Sequence, residues 1–310
     1  MKISVVMPVY NTGERLYKTL VSLLGQTEKD FEVLLVDDDS LDPLTIEIEN
    51  TFCRFDPRFH LLKSGGNNGP AVCRNTGMKA AAGRYIIFLD SDDLFMPEML
   101  ETYADALDKN NARISIGSFI MRDVNTDETS LFAPRALPGV TDGVFSMKDL
   151  PIDGLGRWRS MPWNRMTELS FLRKTGVEFQ NLRDYEDVYF GFASVLLADR
   201  IVYCPLDKAL IIYQVNDPRQ LSNSLDPRNG ISAYEKLLTH KFCDDEHALH
   251  QIMRELVTGF QSMLDRSPDA EYSRTCLAGA KRLLEKWTTD TFFDNEEDRN
   301  RRSEILQMII

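Results

Sequence analysis

Tyr85-Ile86-Ile87-Phe88-Leu89-Asp90-Ser91-Asp92-Asp93 is an apolar run of β-branched and aromatic residues that stops abruptly in carboxylates. A short run of this kind makes a strand buried on both faces, with the acids at its carboxyl end. Like charges packed so closely are costly unless a cation lies between them. Hard divalent ions take oxygen ligands, often shared with substrate phosphates. The stretch therefore reads either as a metal and diphosphate site or as a helix cap followed by solvated acids. The rest of the chain decides between the two.

The same strand-then-polar-turn unit recurs on either side. Lys2 to Val9 reads as a buried strand, and Leu16, Leu20, Leu23 and Leu24 follow at helical spacing, with Asn11 or Thr12 as cap. Phe31 to Val36 is a second strand ending in Asp37-Asp38-Asp39-Ser40, and Asp42-Pro43 is a cap and first position for the next helix. Arg58 to Lys63 is a weaker strand followed by Ser64-Gly65-Gly66-Asn67-Asn68-Gly69, after which Pro70 opens a helix through Ala82 that Gly83 closes. The stretch from Tyr85 is the fourth strand, Pro97 starts a helix to about Asn110, and Arg113 to Phe119 is a fifth strand.

This alternation predicts right-handed crossovers and a mainly parallel sheet covered by helices, an α/β fold that binds ligands at the carboxyl ends of its strands. Pro8-Val9-Tyr10-Asn11, Asp37 to Asp39, Gly65 to Gly69 and Asp90 to Asp93 all fall at such ends. Four polar segments on one rim favour a site over a cap.

Composition narrows the function. The 310 residues carry 48 acidic and 36 basic side chains, a net charge of −12, which argues against a general nucleic-acid binder but leaves room for a local phosphate pocket. Five scattered cysteines without a CxxC point to reduced thiols and a cytoplasmic setting. The amino terminus has too short an apolar run for a signal sequence, and no span is apolar enough to cross a bilayer; docking on a membrane face remains open. A G-x-G-x-x-G after the first strand and a G-x-x-x-x-G-K-[ST] are both missing, so dinucleotide oxidoreductases and P-loop ATPases lose their support.

Pro8-Val9-Tyr10-Asn11, Val36 to Asp42, Asn68-Gly69-Pro70 through Gly77, and Ala82 through Asp93, in that order, resemble glycosyltransferase family 2. The resemblance is dense over roughly the first 110 residues and looser over the next hundred. It implies a GT-A fold, a nucleotide-sugar donor with UDP-sugar preferred, a Mn²⁺ or Mg²⁺ ion, and inversion at the anomeric carbon. By the same resemblance, Pro8, Val9 and Tyr10 edge the nucleobase, Asp37 or Asp38 bonds the base, and Asn68, Gly69 and Arg74 flank the nucleotide. Asp90 and Ser91 lie towards the ribose, Asp92 holds the metal, and Asp93 supports them. The family usually has glycine where this chain has Asp39, an exchange expected to alter the turn more than the function.

Downstream, Ile120 to Arg157 reads as irregular strands and loops. Trp158, Met161 and Trp163 surround Pro162; such clusters are commonly core, with stacking on an acceptor sugar the lesser reading. Thr167 to Lys174 is a short helix ended by Gly176, and Asp184, Glu186 and Asp187 enter the first turn of the helix that follows. Transfer to a hydroxyl needs a base, and Glu186-Asp187 matches the family's Glu-Asp pair: Asp187 is the expected base and Glu186 its partner. Ile201 to Pro205 and Ala209 to Val215 are further strands. Many family members then place a histidine on the metal; the nearest residues here are Arg219, Gln220 and Ser222.

The expected organisation is a catalytic domain over residues 1–225 and a helical appendage over 226–310 that packs on it, binds acceptor or mediates self-association. Asp244-Asp245-Glu246-His247 with His250 is read as an ordinary helix start, and Arg299-Asn300-Arg301-Arg302 as a solvated face. The expected activity is transfer of a sugar to a hydroxyl of a glycan or lipid-linked acceptor. A sugar nucleotidyltransferase, which would want a Gly-rich cationic loop near the amino terminus, and a degenerate sugar-nucleotide binder are the alternatives.

Overall fold

The computed structural model describes residues 1–133, 143–146, 149, 155, 161–217, 225–240, 245–285, 296, 300 and 303. Trp158, Arg219, Gln220, Ser222 and the 299 and 301–302 arginines lie outside them. The first half is a run of β–α units: β1 (Ile3–Val9), α1 (Glu14–Leu24), β2 (Phe31–Asp37), α2 (Pro43–Phe55), β3 (Phe59–Lys63), α3 (Pro70–Ala80) and β4 (Tyr85–Phe88). Every residue of β2 and β4 is buried, as strands covered on both faces require. Side chains alternate between faces: Ile3, Val5, Met7 and Val9 enter one apolar core, while Val6, Val36, Ile86 and Phe88 enter the other.

Local chemistry sets the helix starts unevenly. Asp42 caps α2 by accepting from the Thr45 amide, with Pro43 behind it. Neither Asn11 nor Thr12 caps α1, whose N-cap position is Gly13 with no side-chain bond. Asn11 instead accepts from the Leu41 and Asp42 amides through Oδ1, and the Thr12 hydroxyl bonds that of Ser91. The two residues tie strand ends together, which a capping rule cannot foresee. α3 ends at Ala80, short of Gly83. Gly83 serves close approach: a Cβ there would lie 2.6 Å from the Ser4 nitrogen.

After β5 (Leu94–Phe95) and α4 (Met99–Asn110), the expected fifth strand divides into β6 (Ile114–Ile116) and β7 (Ser118–Asp123). They belong to different sheets, and the chain crosses between them at Gly117, where a Cβ would meet the Tyr103 hydroxyl at 2.4 Å. There follow β8 (Thr129–Phe132), β9 (Val144–Phe145), β10 (Arg165–Glu168), α5 (Leu169–Thr175), α6 (Glu186–Leu197), β11 (Ile201–Tyr203) and β12 (Ala209–Val215). The main sheet runs β3-β2-β1-β4-β10-β6-β11-β9 and the smaller one β5-β12-β7-β8.

β10 lies antiparallel between β4 and β6, so the sheet is parallel on its β3–β4 side and mixed beyond it. Thr167 and Glu168, expected in the following helix, belong to this strand, and the helix starts only at Leu169; four residues give too little periodicity to separate strand from helix.

Helices α7 (Pro227–Leu238), α8 (Glu246–Asp265) and α9 (Ala270–Glu285) follow. Ile231, Leu237, Leu256, Phe260 and Leu283 join the same core as Ile86 and Phe88. Asp184, just before α6, accepts from the Asp226 amide and Asn229 Nδ2, which anchors α7 to the start of α6. No helix among the described residues is long and apolar enough to cross a membrane.

A buried acid on α2 works against the fold. Glu49 on α2 is fully buried, neither carboxyl oxygen has a hydrogen-bond partner, and burial followed by the nearby Asp37 pushes its pKa up to about 7. Because the folded pKa exceeds the unfolded one, the carboxyl weakens the fold as pH rises from about 4.5 to 7. Glu49→Gln should therefore stabilise the protein at pH 8 by on the order of 3 kcal/mol and change little at pH 4. Denaturant unfolding at both pH values reads this, and an equal shift at each would disprove it.

Candidate active site

The carboxyl ends of β1, β2 and β4 share one rim with the start of α6. At the β1 end Pro8 is half-buried, Tyr10 is 44% exposed, and Val9 lies wholly in the core with its carbonyl accepting from the Asp38 amide. The Val9 side chain is thus a packing element. At the β2 end Asp37 accepts from Lys63 Nζ at 2.5 Å and from the Ser40 amide at 3.1 Å. Asp38 organises the glycine loop, accepting from the Ser64 hydroxyl and the amides of Asn68 and Gly69 at 2.6, 3.0 and 2.8 Å. Both carboxylates face the chain itself and brace the turn and loop beside Tyr10. Asp39 stands at φ +68°. Aspartate is among the few side chains that tolerate this left-handed region, so the turn forms without glycine.

At the β4 end the acids divide. Arg74, from α3, is 5% exposed and donates from Nη2 to Asp90 at 2.8 Å and from Nη1 to Glu186 at 2.6 Å. Its guanidinium also lies 5.3 Å from the Phe179 ring, in cation–π range. It thereby joins the end of β4 to the first turn of α6. Ser91 bonds Thr12 through its hydroxyl and accepts from Thr19 through its carbonyl. Asp93 is 1% exposed, accepts from the Gln214 amide at 3.0 Å, and keeps Oδ2 buried without a partner. Burial, then Asp92 and Asp90, raise its pKa well above the carboxylate range. Burial followed by the Asp90 charge pushes Asp92 up to about 6.

Sequence reading missed the groups that answer these charges. Arg15 on α1 donates from one nitrogen, Nη1, to Asp92 at 2.9 Å and to Asp217 at 3.1 Å. The Gln214 side chain donates to the Asp92 carbonyl. These partners are 77, 202 and 122 residues apart in sequence, and no short-range spacing could have marked them. Tyr213 stacks on Trp163 at 4.7 Å, and burial, then Asp90, Asp93, Asp92 and Asp187, raise its hydroxyl pKa. Trp163 is 4% exposed and belongs to the core, which gives the aromatic cluster a packing role.

Tyr185 adopts φ +56° and turns the chain into α6, so that Glu186 and Asp187 open the helix beside Arg74. Burial, then the Glu186 charge, push the Asp187 carboxyl up to about 7, while Arg74 opposes the rise. Glu186, Asp187, Asp90 and Arg74 thus form one electrostatic group. Among the described residues, no three His, Cys, Asp or Glu side chains are arranged to hold a metal ion by themselves. A cavity of about 580 Å³ lined by Gln180, Ser232, Lys236 and Arg282 contains none of the rim acids.

A protein-family sequence model described as "Glycosyl transferase family 2" matches residues 4–180. The glycosyltransferase GlyG of Streptococcus pneumoniae is 30% identical over 211 residues, 65% of this chain and 67% of GlyG. The UDP-Glc:α-D-GlcNAc-diphosphoundecaprenol β-1,3-glucosyltransferase WfgD of Escherichia coli is 33% identical over 135 residues, 44% of this chain and 52% of WfgD. The chain thus matches two thirds of one relative and about half of the other. Among solved structures, residues 1–349 of S. aureus TarS in complex with UDP-GlcNAc superpose with a TM-score of 0.78 at 19% identity, covering 100% of this chain and 90% of that one. That likeness establishes the GT-A type of fold. With more than half of its length matched by the family's sequence pattern, and the motifs that carry the match gathered on one rim, the chain belongs to glycosyl transferase family 2 and is a glycosyltransferase.

Proposed function

We propose that the protein moves a sugar from a nucleoside diphosphate donor, a UDP-sugar by preference, to a hydroxyl of a glycan or lipid-linked acceptor, with inversion at the anomeric carbon. The observation that carries this reading is the Asp90–Arg74–Glu186 bridge, which holds donor-side acids and Asp187 in one group. The UDP-GlcNAc complex of TarS and the lipid-diphosphate acceptor in WfgD's name support the choice of donor and acceptor.

The exposed Tyr10 ring and half-buried Pro8 offer a face for the base, on a loop that Asp37 and Asp38 keep in shape. Asp90 keeps one oxygen outside its bond to Arg74 and lies towards the ribose. Asp187 takes the proton of the attacking hydroxyl as its oxygen bonds the anomeric carbon. A carboxyl with a pKa near 7 suits that task at neutral pH. One base acting on one incoming hydroxyl, with diphosphate leaving from the other side, gives inversion.

The residues fit a Mn²⁺ or Mg²⁺ ion that shares its shell with the donor. Asp92 presents carboxylate oxygens, one of them on Arg15, and is crowded by Asp90. Such ions bind through one or two carboxylates, with phosphates and water completing the shell. Asp92 would hold the ion, which when bound neutralises charge on the leaving diphosphate.

Three outcomes follow. The logarithm of kcat/KM should fall by about one per pH unit below pH 7 as Asp187 protonates and level off above it. Asp187→Asn should lower transfer by about 10²–10⁴-fold and leave donor affinity intact; unchanged transfer would dismiss Asp187 as the base. Calorimetric titration with a UDP-sugar should show weaker binding after chelation and in Asp92→Ala, and equal affinity in all three conditions would remove the ion from the site.

A further inference from the structure

A second cavity, of about 200 Å³, adjoins the acid cluster; Leu94 and Val124 line it together with Arg15, Lys18, Arg122, Asp127 and Gln214. We infer that it receives a phosphate group of the acceptor, an inference that rests on the transferase reading above.

The lining is cationic in a chain whose net charge is −12: three basic side chains face one acid. Their bonding leaves donors in hand. Arg122 meets Asp127 through Nε at 2.5 Å, and among the described residues its two terminal nitrogens make no further bond. Lys18 pairs with Glu14 one turn away at 3.0 Å, with both side chains at least 60% exposed, a pair worth little against a multivalent anion. Arg15 is engaged only through Nη1, among the described residues, on Asp92 and Asp217. Guanidinium groups with open N–H edges around a small cavity match the oxygen array of a phosphate.

Placement decides which phosphate. The cavity is walled by α1, β5, β7, β12 and the β7–β8 turn, and takes no lining residue from the ends of β2, β3 or α3, where the nucleotide is assigned. Arg15 lies between it and the acids, with Nη1 on Asp92 and Asp217, so an anion in the cavity is shielded from their repulsion. Gln214 reaches Asp93 through its backbone amide and the Asp92 carbonyl through its side chain. The cavity is therefore fixed rigidly against the reaction centre from the side of the smaller sheet. A phosphodiester or diphosphate in the acceptor would anchor there and set its hydroxyl in place, while a neutral glycan would gain nothing from these residues.

The test is calorimetric titration of the full chain, saturated with UDP and Mn²⁺, with glycerophosphoglycerol and, separately, inorganic phosphate. Lys18→Ala combined with Arg122→Ala should weaken binding of the diester at least tenfold while UDP affinity stays within twofold. Asp127→Asn, which releases the Arg122 guanidinium, should tighten it. Absence of diester binding to the wild type, or binding indifferent to both variants, would overturn the assignment. A matching loss of UDP affinity in the double variant would also overturn it, by giving the cavity to the donor diphosphate. Binding to the phosphate probes is read without turnover, so its failure is distinct from failure of the transferase reading.

Discussion

Arg74 donates to Asp90 from one terminal nitrogen and to Glu186 from the other, in surroundings that leave it 5% exposed. The end of β4 and the start of α6 cannot part without stranding a charge away from water. Removing one member of such a buried pair typically costs about 3–5 kcal/mol. Fixing α6 in this way also fixes what hangs on it: Asp184 holds the start of α7, and α7 to α9 complete the core on that face of the sheet. One guanidinium thus couples the placement of the two candidate catalytic acids to the packing of the carboxyl-terminal helices.

The rest of the rim follows from the same shortage of positive charge. The Asp90 charge helps to raise the pKa of Asp92, Asp93 and Asp187, and Asp92 adds to the rise at Asp93, with burial the largest cause in each. Against them stand Arg74 and Arg15, each shared between two carboxylates. An acid cluster under-compensated in this way favours whatever brings positive charge, and it keeps Asp187 poised between its two protonation states. At the strand-end acids Asp37 and Asp38, by contrast, lysine, hydroxyl and amide donors bond the carboxylate oxygens.

Much of this was legible in the chain. Apolar runs of strand length followed by polar turns placed β1 to β4 and the start of α2 within a residue or two, since burial on both faces leaves a dense apolar signal. The four motifs on the rim, and Glu186-Asp187 at a helix start, were marked by position alone. Harder to see were β10, too short to show a period, and the break at Gly117, where a single apparent strand serves two sheets. Arg74 was visible as a residue near the rim, but its bridge between Asp90 and Glu186 was not, because these two partners sit 16 and 112 residues away.

The amino-acid sequence by itself determined the α/β layering, the rim on which the polar turns gather and the family, because each rests on local patterns of burial and turn chemistry. Only the tertiary structure decided how charge is shared among the acids: which of them meets Arg74, which meets Arg15, and which, like Asp93 Oδ2, meets nothing. Coulomb energy and desolvation depend on distances through space, and these are set by the packing of segments far apart in the chain. The apolar stretch that ends in Asp90, Asp92 and Asp93 announced a cluster of charge; folding gave each carboxylate a different environment.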